Sequence, residues 1–138
     1  MAAEGFRAAL LARTRAACRD AAPPALAAAY LPEPQPHPDR EAEFGALVLA
    51  DGSAGLYYAW LGDAQRDMAQ RLPLAALLGK PALDLLPYYE SDDTAERSLG
   101  LAAINAITSW YWHRHGFVPA PATDSFCGVT LAPGDRVG

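Results

Sequence analysis

The densest run of reactive side chains in this chain is Glu90-Ser91-Asp92-Asp93-Thr94-Ala95-Glu96. Its carboxylates could hold a hard cation, but the run lacks the glycine and the regular alternation of ligands that a calcium loop requires. Asp93 and Glu96 have instead the spacing of a capping box, in which Asp93 accepts from the amide three residues on while Glu96 reaches back to the cap amide. Acids at a helix start also complement its dipole. His113 and His115 lie at the far end of the same predicted helix. Two residues apart, they point to different sides of it, and the dipole at a helix C-terminus explains them better than a metal site does. His37 lies among prolines with no ligand beside it. Cys18 and Cys127 are far apart and in no metal-ligand spacing, and Cys127 has no histidine near it in sequence. The short motifs for phosphate, dinucleotide, serine-hydrolase and zinc-protease chemistry are absent.

The polar group that stands out is Asn105. It sits in residues 94–107, a predicted helix apolar on nearly every face, where a surface helix would carry a polar stripe. An amide buried there without a partner would cost roughly 1–3 kcal/mol. Asn105 is therefore expected either to bond a neighbouring backbone group or to face a ligand, the two readings standing level. Gly100 in the same helix gives up about 1 kcal/mol relative to alanine, which marks a close backbone approach.

Several elements must position these groups. Residues 6–19 read as an amphipathic helix ended by Pro23-Pro24, and residues 25–31 as a second short helical piece. The Pro-rich loop 32–38 favours an extended polyproline form. Residues 43–50 and 54–61 are apolar strands, and Asp51-Gly52-Ser53 between them is a hairpin signal. The second strand is apolar on both faces, so one face should meet helices and the other a partner or further domain. Tyr57, Tyr58 and Trp60 could form a stacking platform, although aromatic strands usually serve the core. Helical segments follow at 63–72, 73–78 (stopped by Gly79) and 81–86, with Pro87 expected to break the chain. The central helix spans 93–115 and stops at Gly116.

At 138 residues the chain suits one domain. A net charge of −5, with basic residues scattered among acidic ones, argues against nucleic acid as a partner. The N-terminus has no basic region, and its apolar stretch is broken by Arg7, Arg13 and Arg15, so neither a secretory signal nor a membrane span is expected. The sparse cysteines predict a reducing, cytoplasmic setting. No internal repeat is present.

Three stretches together resemble one family: Leu77-Leu78-Gly79-Lys80-Pro81-Ala82-Leu83, then Glu96-Arg97-Ser98-Leu99-Gly100-Leu101-Ala102-Ala103-Ile104-Asn105-Ala106, then Thr123-Asp124-Ser125 with Pro133-Gly134-Asp135-Arg136-Val137-Gly138. Their order and spacing are similar to the N-terminal domain of the prokaryotic proteins named for heavy-metal chelation, over about residue 43 to the end. The resemblance implies a fold like the N-terminal domain of enolase and a Rossmann-like C-terminal domain beginning where this chain stops, after residue 138, with a binding site between the two. Enolase chemistry does not follow from that fold likeness. Carried over residue by residue, the resemblance places Glu96, Ser98 and Asn105 as ligand-binding candidates and identifies no nucleophile. The expectation is thus an α+β domain, an antiparallel meander of two or three strands packed on a helical layer. It would form one wall of an interdomain site for a metal ion or small anionic ligand, with a divalent metal as the cofactor of the two-domain protein. Alternatives are a substrate-orienting half of an enzyme, or a module that forms a homodimer.

Overall fold

A computed structural model describes residues 2–31, 44–59, 70–71, 74–121, 130 and 132–135. Helix α1 (Ala2–Ala17) is followed by three strands, β1 (Leu26–Tyr30), β2 (Phe44–Leu49) and β3 (Ala54–Tyr58). Two 3₁₀ helices (Leu74–Leu77 and Ala82–Glu90) and the long α2 (Thr94–Arg114) complete the order. The sheet is an antiparallel meander in the order β1-β2-β3. With α2 against one face and the second 3₁₀ helix packed on α2, this is the expected α+β architecture. The Pro-rich loop 32–38, Trp60, most of 63–72 and the stretch 123–127 lie outside the described residues.

The hairpin forms where Asp51-Gly52-Ser53 places it, with Gly52 at φ 87° and the Leu49 amide bonded to the Ser53 carbonyl at 2.8 Å. Strand alternation then sorts the sheet. Leu47, Leu49, Tyr57 and Ala59 are buried, whereas Phe44, Ala54 and Leu56 face outward. Tyr57 stands opposite Gly45, over which its ring packs, and its hydroxyl donates to the Tyr30 carbonyl at 2.9 Å. Burial pushes the Tyr57 phenol up to about 12. Tyr57 is therefore core and Tyr58 lies on the half-buried outer side, so the two form no common platform.

Two expectations are corrected. Residues 25–31 form strand β1, not a helix: five residues hemmed by prolines are too few to nucleate helix, and the β2 edge supplies the backbone partners instead. Its outer edge is covered at Leu26, whose amide donates to Lys80 at 2.9 Å and whose carbonyl accepts from Gly79 at 2.8 Å. The segment expected over 81–86 is a 3₁₀ helix that continues through Pro87 to Glu90. Pro87 has no amide to donate to the Asp84 carbonyl, and Asp84 is exposed, so solvent can reach that carbonyl.

Helix α2 is the organising element. Leu99, Ala102, Ala103, Ile104, Ala106 and Ile107 are buried along it. On the sheet side the β3 backbone comes so close that a side chain at Gly55 would strike the Ala102 carbonyl and Ala106 amide. On another side Gly100 admits the second 3₁₀ helix, and a β-carbon there would lie 2.7 Å from Tyr89 Cα. The close approach read from Gly100 is thus to a neighbouring helix.

Both ends of α2 are built as their residues suggest. At the start Asp93 Oδ1 accepts from the Glu96 amide at 3.0 Å. The return arm runs through Ser91, whose hydroxyl donates to Glu96 Oε2 at 2.6 Å and accepts from the Asp93 amide at 3.1 Å. Glu96 therefore reaches the cap amide by relay, not directly as a plain capping box would. At the end Gly116 (φ 64°) closes a Schellman motif, with Gly116 N bonded to His113 O and Phe117 N to Trp112 O at 3.2 and 2.9 Å. The Trp112 and Phe117 rings, 5.2 Å apart, supply its apolar contact.

The Glu96 amide, together with the Arg71 guanidinium 3.0 Å away, holds the Asp93 carboxyl below the usual aspartate range. A carboxylate depressed in the folded state stabilises fully above its unfolded pKa, about 3.9, and that contribution vanishes as pH falls through the lower folded value. Asp93→Asn keeps a capping oxygen but removes the titration. Thermal melts from about pH 7 to about pH 2 should show wild type losing its margin over the variant in the acid range; parallel curves would refute this role.

Candidate functional site

The expected residues lie along α2 without converging. At 100° per residue, Ser98 and Asn105 share one side of the helix, and Glu96 lies about half a turn round from Asn105. Ser98 is buried, and its hydroxyl donates to the Thr94 carbonyl at 2.9 Å. Glu96 is half-buried and held by Ser91. Asn105 is exposed, its Nδ2 donating at 2.9 Å to the Leu56 carbonyl of β3. A carbonyl can only accept, so the amide nitrogen must face it, leaving Asn105 Oδ1 as an acceptor with no partner among the described residues. The amide thus bonds a neighbouring backbone group, as the first reading expects, and its oxygen is open to solvent.

The hairpin turn and the end of α2 meet in a contact that sequence reasoning missed. Ser53 is fully buried; its amide and its hydroxyl both donate to Asp51, at 3.0 Å each, and its Oγ lies 3.2 Å from His113 Nδ1. Serine, histidine and aspartate thus come together, but in the wrong order for nucleophilic catalysis. The carboxylate holds the serine instead of orienting the imidazole, and the hydroxyl is inaccessible. Asp51-Gly52-Ser53 signalled only a turn, and nothing local links it to a histidine 60 residues away.

Other chemistry is limited. Burial raises the Cys18 thiol, which disfavours the nucleophilic thiolate. Cys127 and His37 lie outside the described residues. A groove of about 330 Å³ between α1 and α2 is lined by Arg13, Thr14, Thr108 and Tyr111 among others. Both its threonine hydroxyls are committed to carbonyls of their own helices. Among the described residues no three His, Cys, Asp or Glu side chains stand close enough to hold a metal ion. No described helix is long and apolar enough to cross a membrane.

The fold and these side chains define a small α+β domain whose expected ligand donors, among the described residues, stand apart from one another. Residues 42–108, just under half of the chain, match a family model described as "Putative heavy-metal chelation". That span runs from β2 to the middle of α2 and carries Glu96, Ser98 and Asn105. It includes the first two stretches of the resemblance and stops before the third. No curated protein and no solved structure matches the chain.

Proposed function

We propose that this chain is a binding domain forming one wall of a site for a metal ion or small anionic ligand, the opposite wall coming from a Rossmann-like second domain. The carrying observation is Asn105: one amide on an apolar helix, anchored by its nitrogen to β3 and presenting its oxygen outward. An outward amide oxygen suits a cation best. Glu96 and Ser98, held by Ser91 and the Thr94 carbonyl, support the helix that carries this wall. The family description supports the metal alternative. A homodimer is the second reading, favoured by the outer sheet face, where Tyr30, Phe44 and Leu56 are each more than half exposed and no strand position is charged.

One wall alone binds weakly. Thermal melts of the chain should show stabilisation by calcium or inorganic phosphate only at millimolar concentrations. Asn105→Ala should abolish the calcium effect while costing about 0.5–1.5 kcal/mol of stability, the worth of one hydrogen bond at an exposed site. A calcium response retained in Asn105→Ala, or no response to either probe, would overturn the reading.

A further inference from the structure

The contact between the hairpin turn and α2 fixes where protons sit. Ser53 has a single hydroxyl proton, and the Asp51 carboxylate, which can only accept, takes it at 3.0 Å. The serine oxygen therefore turns lone pairs toward His113 Nδ1 at 3.2 Å, and Nδ1 must carry the hydrogen of that bond. A neutral imidazole with its proton on Nδ1 has its electron pair on Nε2. His113 is exposed on the last turn of α2. We propose that Asp51 and Ser53 hold His113 in the Nδ1–H tautomer, so that its Nε2 is a preset ligand for a borderline transition-metal ion such as nickel or copper(II).

This goes beyond the wall at Asn105. Eight residues of helix put His113 about 12 Å further along the axis, and one ion with ligands about 2 Å away cannot bridge that gap. His113 also lies outside the span matched by the family. His115 is the internal contrast, because its ring rests on Tyr111 at 4.2 Å and no hydrogen bond orients it among the described residues. At metal sites an acceptor behind the imidazole, usually a carboxylate, a carbonyl or water, fixes the tautomer and ring orientation, and here a buried serine backed by a carboxylate takes that place. With one protein ligand, the remaining coordination positions belong to water or to an apposed surface.

Nitrogen-detected NMR of the full chain in mildly alkaline solution tests the tautomer. His113 should carry its proton on Nδ1, and His115 on Nε2, the form favoured by free histidine. Nickel titration should broaden the His113 ring signals first, and Ser53→Ala should weaken that binding about tenfold or more. Asp51→Asn is the second variant, since its amide must accept from the Ser53 amide through Oδ1 and so presents Nδ2 as a donor to Ser53 Oγ. The serine proton then turns to His113 Nδ1 and moves the ring proton to Nε2, with the same loss of nickel affinity. His113→Gln should remove the early broadening and leave the calcium stabilisation that depends on Asn105 intact. An Nε2–H form in wild type, broadening no earlier than at His115, or unchanged nickel affinity in both relay variants would overturn the proposal.

Discussion

Replacing Gly55 with valine destabilises this domain by about 3 kcal/mol or more, at the top of the range for overpacking, even though valine is the better strand former. The reason is the seam between β3 and α2. A β-carbon at Gly55 would overlap the Ala102 carbonyl and Ala106 amide, and it would lie 2.9 Å from the Asn105 carbonyl carbon. These are backbone atoms of a regular helix, which cannot rotate away as the tip of a side chain can. Relief requires α2 to lift from the sheet, opening the contact around Leu47, Leu99 and Ala106, all fully buried. Urea unfolding gives the number directly, and Gly55→Ala should already show most of the effect because the clash begins at the β-carbon. A loss below about 1 kcal/mol for valine would mean that α2 shifts freely on the sheet.

Gly100→Leu is expected to cost about 1–3 kcal/mol, against a helix-propensity gain of nearly 1 kcal/mol that acts in the opposite direction. Here too the obstacle is backbone: the β-carbon would lie 2.7 Å from Tyr89 Cα and 2.9 Å from the Tyr88 carbonyl carbon. Gly100 and Gly55 differ in what must yield. The 3₁₀ helix beside Gly100 has one face in the core through Leu85 and Leu86 and an exposed side at Pro87, so it can retreat by displacing those leucines. At Gly55 what must yield is the regular backbone of α2, packed along β3 over fully buried residues, and it yields less. Urea midpoints with unchanged denaturant slopes would report the two costs separately, and equal or higher stability in Gly100→Leu would remove the close approach as the reason for that glycine.

The candidate site was legible in part. Asn105 could be singled out because an amide in an otherwise apolar helix breaks a local pattern. Its exposure could not, since that depends on α2 lying at the margin of the sheet where Leu56, 49 residues earlier, offers a carbonyl. Glu96 was legible as a helix-start acid, but the part played by Ser91 in linking it to the cap amide depended on side-chain geometry within the turn. His113 was set aside as a helix-end histidine because the buried serine that orients it belongs to a different element.

Sequence alone determined what short-range chemistry governs. Asp51-Gly52-Ser53 makes the hairpin because glycine accepts the positive φ; Asp93 starts α2 by accepting an amide proton three residues on; Gly116 ends it for the same reason as Gly52. Gly100 marked a close approach because only contact justifies the propensity it forgoes. Tertiary structure decided the rest. An alanine-rich run became β1 because β2 offered hydrogen bonds that five isolated residues could not make as a helix. Ser53 met His113, and Asn105 met Leu56, because α2 packs along β3, and the energy of such pairings depends on distances in space that no local periodicity encodes.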